Sequence, residues 1–257
     1  MKIAICIPSY KRPKVESLDL FPHSRVYVAE REYDAYISAN PDGADIVAMP
    51  DNVQGNIARV RNYILDTEFA NGTDCVAIMD DDMDYIGRFV SEDSRFGVYG
   101  YRKVLLSEEQ LVDFIVKGAL LCDEWGFKHF GVNCVCDPKA YRQNTPFNTT
   151  KYIGSPFSCH LDNPIRYDES IPLKEDYDIT LQHQLRYGGA LRFNMFFYHC
   201  KQSEQDGGCA DMRSLDMERE QFALLQKKWG TAIVKKDCGS KKEFDYNPII
   251  KSPLKGV

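Results

Sequence analysis

The feature that most constrains the fold is a series of four short apolar runs within the first 80 residues. They lie at residues 3–7, 25–29, 45–49 and 75–79, and a proline or a polar residue follows each. Between the last two runs, residues 56–69 carry apolar side chains at helical spacing, with Asn56 as the N-cap and Asn71-Gly72 as the stop. Strands that alternate with helices in this way predict an α/β fold with a Rossmann-like, mostly parallel sheet flanked by helices.

The rest of the chain continues this pattern around one long irregular stretch. Residues 141–168 are rich in Asn, Thr, Pro, Ser and aromatic residues and predict a loop with little regular structure, of a length that is more often functional than filler. The other predicted elements are a helix after Ser107 with Gln110 in a capping box, a strand over 129–136, a helix over 174–187, a strand over 191–198 and a helix over 214–229. Neither a linker nor a repeat is evident, so we predict one domain at 1–240 and a polar tail at 241–257.

Composition limits the cellular setting and the partners. A 257-residue chain with 44% hydrophobic and 27% charged residues is typical of globular proteins. The formal charge of −6 gives no overall attraction to nucleic acid, although it permits a local basic groove. The chain begins with a strand rather than a signal segment, and its nine cysteines are scattered without a CxxC pair. We therefore expect a cytoplasmic protein with no membrane partner, whose cysteines are buried free thiols rather than zinc ligands.

The fourth apolar run ends in three consecutive aspartates, Asp80, Asp81 and Asp82. Adjacent carboxylates repel one another, so they stay ionised together more readily beside a counter-charge. The strand would deliver them to the edge at which open α/β sheets bind ligands. A hard divalent cation, Mg²⁺ or Mn²⁺, that also holds a diphosphate is the simplest partner, which indicates chemistry on an activated nucleotide. The alternative is a solvated acidic turn.

Two other segments carry groups that suit a nucleotide. The run Pro8-Ser9-Tyr10-Lys11-Arg12 follows the first strand and offers a hydroxyl, an aromatic ring and two cations, although it is neither a GxGxxG fingerprint nor a P-loop. Gln54-Gly55-Asn56, at the start of the predicted helix, is a candidate phosphate contact. Arg61 falls in the apolar stripe of that helix, where a charge needs a partner. Its partner is either the aspartates or a bound phosphate, or else Arg61 forms an ordinary structural ion pair.

A second acidic centre opens the helix over 174–187. Glu175 and Asp176 lie in its first turn, where the helix dipole favours carboxylates, so they are either simple capping residues or functional groups. A carboxylate beside a sugar donor can take the proton of an acceptor hydroxyl. His199 ends the strand over 191–198 and is either a structural histidine or a metal ligand at the same sheet edge.

Taken together, these residues resemble the GT-A glycosyltransferases, and most closely their inverting family-2 type, over roughly residues 1–200. The resemblance rests on Pro8-Ser9-Tyr10, on the segment from Gly55 to Arg61-Asn62, on the aspartate triplet, on Glu175-Asp176 and on His199. It implies that Asp80 and Asp82 bind the nucleotide sugar, expected to be a UDP-sugar, and its Mn²⁺ or Mg²⁺, with His199 as a further metal ligand. It also implies Asp176 as the catalytic base, a nucleotide-sugar-binding half at 1–100 and an acceptor-binding half at 101–240.

A narrower resemblance concerns the acceptor. Lys174-Glu175-Asp176-Tyr177-Asp178, followed by Gly188-Gly189, is similar to phage glycosyltransferases associated with TET-type pyrimidine hydroxylases, which are related to the GREB1 glycosyltransferase domain. This resemblance implies transfer of a sugar to a hydroxymethylated pyrimidine in DNA. A basic groove lined by Arg142, Lys151 and Arg166 would favour DNA, whereas a closed neutral pocket would favour a small acceptor.

Three alternatives remain at this point. A transferase of the same fold acting on a glycan or a small molecule fits the same residues. A nucleotidyltransferase shares the aspartates at the sheet edge but ordinarily carries a Gly-rich loop after its first strand, which Pro8-Ser9-Tyr10 is not. A binding module that has lost catalysis is disfavoured by the two intact acidic centres. The sequence leaves the sugar, the nucleotide base and the oligomeric state open.

Overall fold

The computed structural model describes residues 1–92, 100–200, 214–235 and 246–252. Five helices occur in these residues: α1 (Tyr33–Ala39), α2 (Ile57–Ala70), α3 (Glu108–Glu124), α4 (Glu175–Tyr187) and α5 (Leu215–Trp229). The strands of the main sheet are β1 (Ile3–Pro8), β2 (Arg25–Ala29), β3 (Asp45–Met49), β4 (Cys75–Met79), β5 (Met83–Glu92), β6 (Gly100–Leu105), β7 (His129–Asn133), β8 (Phe147–Asn148), β9 (Phe157–Leu161) and β10 (Leu191–Cys200). A separate hairpin pairs β11 (Ile233–Lys235) with β12 (Pro248–Ile250).

The main sheet has the strand order β3-β2-β1-β4-β9-β7-β10-β5-β6, with β8 paired to β10. Strands β3, β2, β1 and β4 are parallel neighbours, as are β7 and β10. Antiparallel pairs join β9 to β4 and to β7, and join β5 to β10 and to β6. The α/β class predicted from the sequence is therefore confirmed, and the strands predicted over 25–29, 45–49 and 75–79 have those bounds in the structure. Because β5 pairs with β10, the sheet interleaves strands from both predicted halves of the chain.

Residues 141–168 are largely irregular, as predicted, but the prediction missed two strands there. They contain β8 and β9, and β9 lies at the centre of the sheet with all five of its residues buried. Its sequence FSCHL hides the strand, because Ser158 and His160 are polar and are buried only by virtue of their hydrogen-bond partners. The strand predicted over 129–136 ends at Asn133 instead, so Cys134 and Cys136 lie beyond it.

Apolar side chains cover both faces of the sheet. Along β1, Ile5 and Ile7 point to the face covered by α3, whereas Cys6 points to the face covered by α2. The same alternation in β4 sends Ala77 to the α3 face and Ile78 to the α2 face, as the two-residue period of a strand requires. This three-layer packing leaves the carboxyl ends of β1 and β4 side by side at one edge.

The described residues also bear on the predictions for membrane-spanning helices, for the cysteines and for the C-terminal tail. No helix among them has the length and apolar character needed to cross a bilayer. The seven cysteines within the described ranges are free thiols. Four of them are buried, as predicted, whereas Cys134, Cys136 and Cys200 are partly exposed. Of the predicted tail at 241–257, only residues 246–252 belong to the described part of the chain.

Candidate active site

A cavity of about 530 Å³ opens where the carboxyl ends of β1 and β4 meet. Parallel neighbouring strands bring the segments that follow them to the same edge, so residues 8–12 and the aspartate triplet share one wall. The start of α2 and the start of α4 form the other walls. The cavity is lined by the predicted site residues Pro8, Ser9, Tyr10, Arg12, Gln54, Asn56, Arg61, Asp80, Asp81, Asp82, Glu175 and Asp176.

The aspartate turn is held from behind by Ser17, a buried residue of the short 3-10 helix Glu16–Asp19. The Ser17 hydroxyl donates to the Asp80 carbonyl oxygen over 2.7 Å, and it accepts from the Met83 backbone N–H over 3.0 Å. The Ser17 backbone N–H donates to the Asp81 carbonyl oxygen over 3.2 Å. The path of the backbone through the triplet is thus fixed by a residue that gave no signal in the sequence.

The three aspartates have different surroundings. Asp81 is turned into the protein, where it accepts from the Ser9 hydroxyl over 2.5 Å and from Arg12 Nη1 over 2.9 Å. Burial raises the pKa of Asp81, and these two contacts oppose that rise. Burial, together with the charges of Asp80 and Asp81, raises the pKa of Asp82 to about 7. The triplet therefore carries more negative charge than Arg12 compensates.

These residues fit a divalent cation. One ligand atom each from Asp80, Asp82 and Cys200 lies within 4.8 Å of the other two. Two carboxylates suit Mg²⁺ or Mn²⁺, and a thiol beside them shifts the preference towards Mn²⁺ or a softer metal. Burial is the main reason that the pKa of Asp82 is raised, and the charges of Asp80 and Asp81, which add to the rise, are ones that such a cation would neutralise.

His199 does not join this group in the structure. Its Nδ1 atom lies 2.6 Å from Asp84 Oδ2, and its ring stacks on Tyr85 with the centroids 5.0 Å apart. Consecutive residues of a strand point to opposite faces. Cys200 therefore faces the cavity, whereas the sequence had indicated its neighbour His199. The role of His199 as a metal ligand stays a prediction, and Cys200 is a site residue that the sequence did not identify.

Arg61 connects the two acidic centres. Its guanidinium donates from Nη1 to Glu175 Oε1 over 2.5 Å and from Nη2 to Asp80 Oδ1 over 3.2 Å, and its side chain is 3% exposed. Arg61 therefore both contacts the aspartate triplet and forms a structural ion pair. One ion-pair network includes the triplet and the start of α4. Burial and the neighbouring Asp176 raise the pKa of Glu175 to about 7, although Arg61 opposes the rise.

Asp176 is held by donors from a segment that was predicted to be a loop. Its Oδ2 atom accepts from the Tyr152 hydroxyl and, over 3.2 Å, from the Ser155 hydroxyl. Its Oδ1 atom accepts from the backbone N–H of Tyr177 over 2.8 Å. The rings of Tyr152 and Tyr177 stack with centroids 4.2 Å apart, beside the carboxylate. The aromatic content of residues 141–168 was the signal in the sequence, but it did not single out Tyr152.

The cationic side chains considered for a DNA groove lie elsewhere. Arg166 pairs with Asp66 over 2.7 Å, and Arg142 donates to the backbone carbonyl oxygens of Lys139 and Tyr141. Neither these two arginines nor Lys151 lines the cavity formed by the described residues. The cavity wall is instead a mixture of carboxylates, three cationic side chains (Lys11, Arg12 and Arg61), aromatic rings and apolar residues.

Comparisons with known proteins find distant similarities of fold. S. aureus TarS 1–349 in complex with UDP-GlcNAc superposes with a TM-score of 0.48 and 13% identity, over 88% of this chain and 67% of that chain. TarS 1–349 in complex with UDP gives 0.45 and 14%, over 88% and 66%. CMP:2-keto-3-deoxy-manno-octonic acid synthetase complexed with CTP gives 0.36 and 10%, over 88% of this chain and all of that chain. This chain spans about two thirds of the TarS fragments. No family model matches the sequence, and no curated protein matches it significantly.

Proposed function

We propose that this protein is a GT-A-type glycosyltransferase that moves a sugar from a nucleotide sugar to a hydroxyl acceptor with inversion. The observation that carries the proposal is the Arg61 bridge between Asp80 and Glu175. It joins a carboxylate cluster that fits a divalent cation and a carboxylate pair at a helix start within one cavity of about 530 Å³. Such a volume lies within the usual range for small-molecule sites.

The donor half of the proposal concerns the edge formed by β1 and β4. Asp80, Asp82 and Cys200 would hold Mn²⁺ or Mg²⁺, which when bound supplies positive charge for a diphosphate leaving group. Arg12 is anchored by Asp81 at the same wall and adds a fixed positive charge there. Tyr10, Gln54 and the start of α2 offer an aromatic ring and polar groups for the nucleoside.

The acceptor half concerns Asp176. The donors on Oδ2 fix the orientation of this carboxylate, whereas Oδ1 has one backbone donor and a free lone pair for the acceptor hydroxyl. Asp176 takes the proton of that hydroxyl while the oxygen of the acceptor hydroxyl forms a bond to the anomeric carbon. The bond from the anomeric carbon to the diphosphate breaks on the opposite side in the same displacement, which inverts the configuration.

For the acceptor we propose a hydroxymethylated pyrimidine in DNA, and this step rests on the resemblance of residues 174–178 alone. The net charge of −6 and the positions of Arg142, Lys151 and Arg166 give it no support. The flat pair formed by Tyr152 and Tyr177 is the surface beside Asp176 on which an extruded base would stack. A glycan or small-molecule acceptor is the competing outcome.

The test is a turnover assay with Mn²⁺ and a panel of nucleotide sugars that includes UDP-sugars. Duplexes that contain hydroxymethylcytosine, hydroxymethyluracil or unmodified bases are compared, and product nucleosides are identified by mass spectrometry. A sugar adduct on a hydroxymethylated base alone supports both steps. Donor hydrolysis without a DNA product would support the glycosyltransferase proposal but contradict DNA as the acceptor. No turnover of any nucleotide sugar overturns the proposal and favours a nucleotidyltransferase or a binding module.

A variant separates the base from the binding site. Asp176→Asn is expected to lower kcat by about 100-fold or more with little change in donor affinity, because the amide cannot take a proton. Asp113→Asn is the matched control, since Asp113 pairs with Lys117 on the exposed surface of α3. Transfer by Asp176→Asn at the rate of the control would show that Asp176 is not the base.

A further inference from the structure

Three of the five histidines in the sequence meet in the interior, apart from the cavity. His129 lies on β7 and His160 on β9, directly opposite each other in the antiparallel register. His183 comes from α4, which packs on that face of the sheet. All three side chains are buried, with exposures of 0%, 1% and 0%.

The rings are arranged close enough to share one ion. One ring nitrogen from each histidine lies within 4.8 Å of those of the other two. The centroid of His129 is 4.4 Å from that of His160 and 4.9 Å from that of His183. Tetrahedral Zn²⁺ with bonds of about 2.0–2.1 Å places its nitrogen ligands roughly 3.3 Å apart. Binding therefore requires the stacked rings, which lie at 25° and 29° to His129, to rotate until their nitrogens converge.

The hydrogen bonding of the rings is incomplete in a way that points to a ligand. His129 Nδ1 lies 3.1 Å from the Cys159 carbonyl oxygen, which fixes the proton on Nδ1 and leaves Nε2 as a lone pair. Within the described residues, Nε2 of His129 and both ring nitrogens of His183 are buried without a hydrogen-bond partner. Buried polar atoms are normally paired, so these orphaned nitrogens need an explanation.

The rings are also in the protonation state that metals require. Burial lowers the pKa of His129 to about 4 and holds the pKa values of His160 and His183 well below the usual value. Each ring is therefore neutral at physiological pH. His160 Nε2 lies 2.9 Å from the Tyr167 hydroxyl and 3.4 Å from the Ser158 hydroxyl, so the tautomer with its proton on Nε2 leaves the lone pair of His160 on Nδ1. Without an ion, the lone pair on His129 Nε2 and the ring nitrogens of His183 stay buried and unpaired among the described residues.

We propose that His129, His160 and His183 form a buried binding site for Zn²⁺. Neutral imidazoles select Zn²⁺ over Mg²⁺, and a water molecule would complete the four ligands. The site differs in donors from the Asp80, Asp82 and Cys200 group and rests on no part of the proposed transferase function. His183 lies about two turns along α4 from Glu175. The ion would therefore attach α4, which carries the second acidic centre, to strands β7 and β9.

The test measures metal directly. The full chain is purified without added metal, and its zinc content is determined by elemental analysis before and after dialysis against a chelator. Co²⁺ is then titrated into the chelator-treated protein in excess Mg²⁺, with circular dichroism as a check on folding. We expect about one equivalent of Zn²⁺ per chain and visible d–d bands of a tetrahedral Co²⁺ complex. A folded wild-type chain with neither would overturn the proposal.

Variants assign the signal to these residues. His183→Asn and His129→Asn should weaken Co²⁺ binding by more than about 100-fold, whereas His23→Asn, at an exposed surface histidine, should leave it unchanged. Asp82→Asn should also leave the Co²⁺ bands intact, because Asp82 belongs to the other group. Loss of the bands in Asp82→Asn, or their retention in a folded His183→Asn protein, would refute the assignment.

Discussion

Replacing Arg61 with methionine would remove the cation that touches both acidic centres while keeping a side chain of similar reach. Arg61 is 3% exposed and Glu175 is 8% exposed, whereas Asp80 is 31% exposed, so water screens the Asp80 contact more. Removal of one partner from a buried ion pair costs about 3–5 kcal/mol. We expect Arg61→Met to lower the free energy of unfolding by about 3 kcal/mol at pH 8. The ionisation of Glu175 accounts for at most about 1.4 kcal/mol of this loss, because pH 8 is one unit above its folded pKa of about 7.

The loss should depend on pH with a defined sign. The pKa of Glu175 is about 7 in the folded chain against an ordinary 4.5, and removal of Arg61 would raise it further. Between 4.5 and the folded pKa, the folded chain holds a proton that the unfolded chain releases, so the stability falls as the pH rises through that window. At pH 5, Glu175 is protonated in both proteins and the difference shrinks. Above pH 7 the difference grows by about 1.4 kcal/mol per pH unit until the raised pKa of Glu175 in the variant is reached.

The assay is urea unfolding followed by circular dichroism at pH 5 and pH 8. Arg59→Met is the matched control on the same helix, because Arg59 and Glu169 are both over 40% exposed and such a pair contributes at most about 1 kcal/mol. Addition of Glu175→Gln to Arg61→Met should abolish the pH-dependent part of the loss, since an amide does not ionise. An Arg61→Met protein as stable as wild type at pH 8, or equally destabilised at both pH values, would refute the reasoning.

Three further outcomes are expected. Tyr152→Phe should lower kcat by about 10-fold with little loss of stability, because Asp176 loses one hydroxyl donor; steady-state kinetics checks this, and an unchanged kcat would contradict it. Cys200→Ser should shift the metal preference from Cd²⁺ and Mn²⁺ towards Mg²⁺ in metal titrations, and an unchanged preference would remove the thiol from the site. Gly131→Ala should destabilise the chain by about 1–3 kcal/mol in thermal unfolding, because its Cβ would lie 2.5 Å from Ile153 Cγ2; an unchanged melting temperature would show that the packing there is loose.

The elements that the sequence predicted well are those in which local signals agree with burial. β4 is buried at every position and wholly apolar, so its bounds could be predicted. Helix α4 ends at Gly188, whose φ of 77° is the left-handed conformation that glycine adopts without strain. The capping box of Ser107 and Gln110 is present at the start of α3. Each of these signals lies within a few residues of the structure that it specifies.

The site features that the sequence could not predict depend on contacts between distant segments. Ser17 contacts the aspartate turn across more than 60 positions, and Tyr152 reaches Asp176 from what looked like a loop. Whether His199 or Cys200 faces the cavity depends on a shift of one residue along the strand. The pairing of β10 with β5 shifts register between these two residues. A one-residue shift sends a side chain to the other face, and no local pattern reports it.

The central position of β9 has a consequence for the order in which the chain can fold during synthesis. Strands β1 to β4 can pair as soon as they leave the ribosome, but the outer edge of β4 pairs with β9, which is made roughly 80 residues later. At about 5–20 residues per second, the nascent chain carries an unpaired edge of sequence CVAIM for on the order of 4–16 s. Apolar edges of this kind invite pairing with other chains. Until β9 has been made, the open edge of β4 is therefore a surface at which another chain can pair.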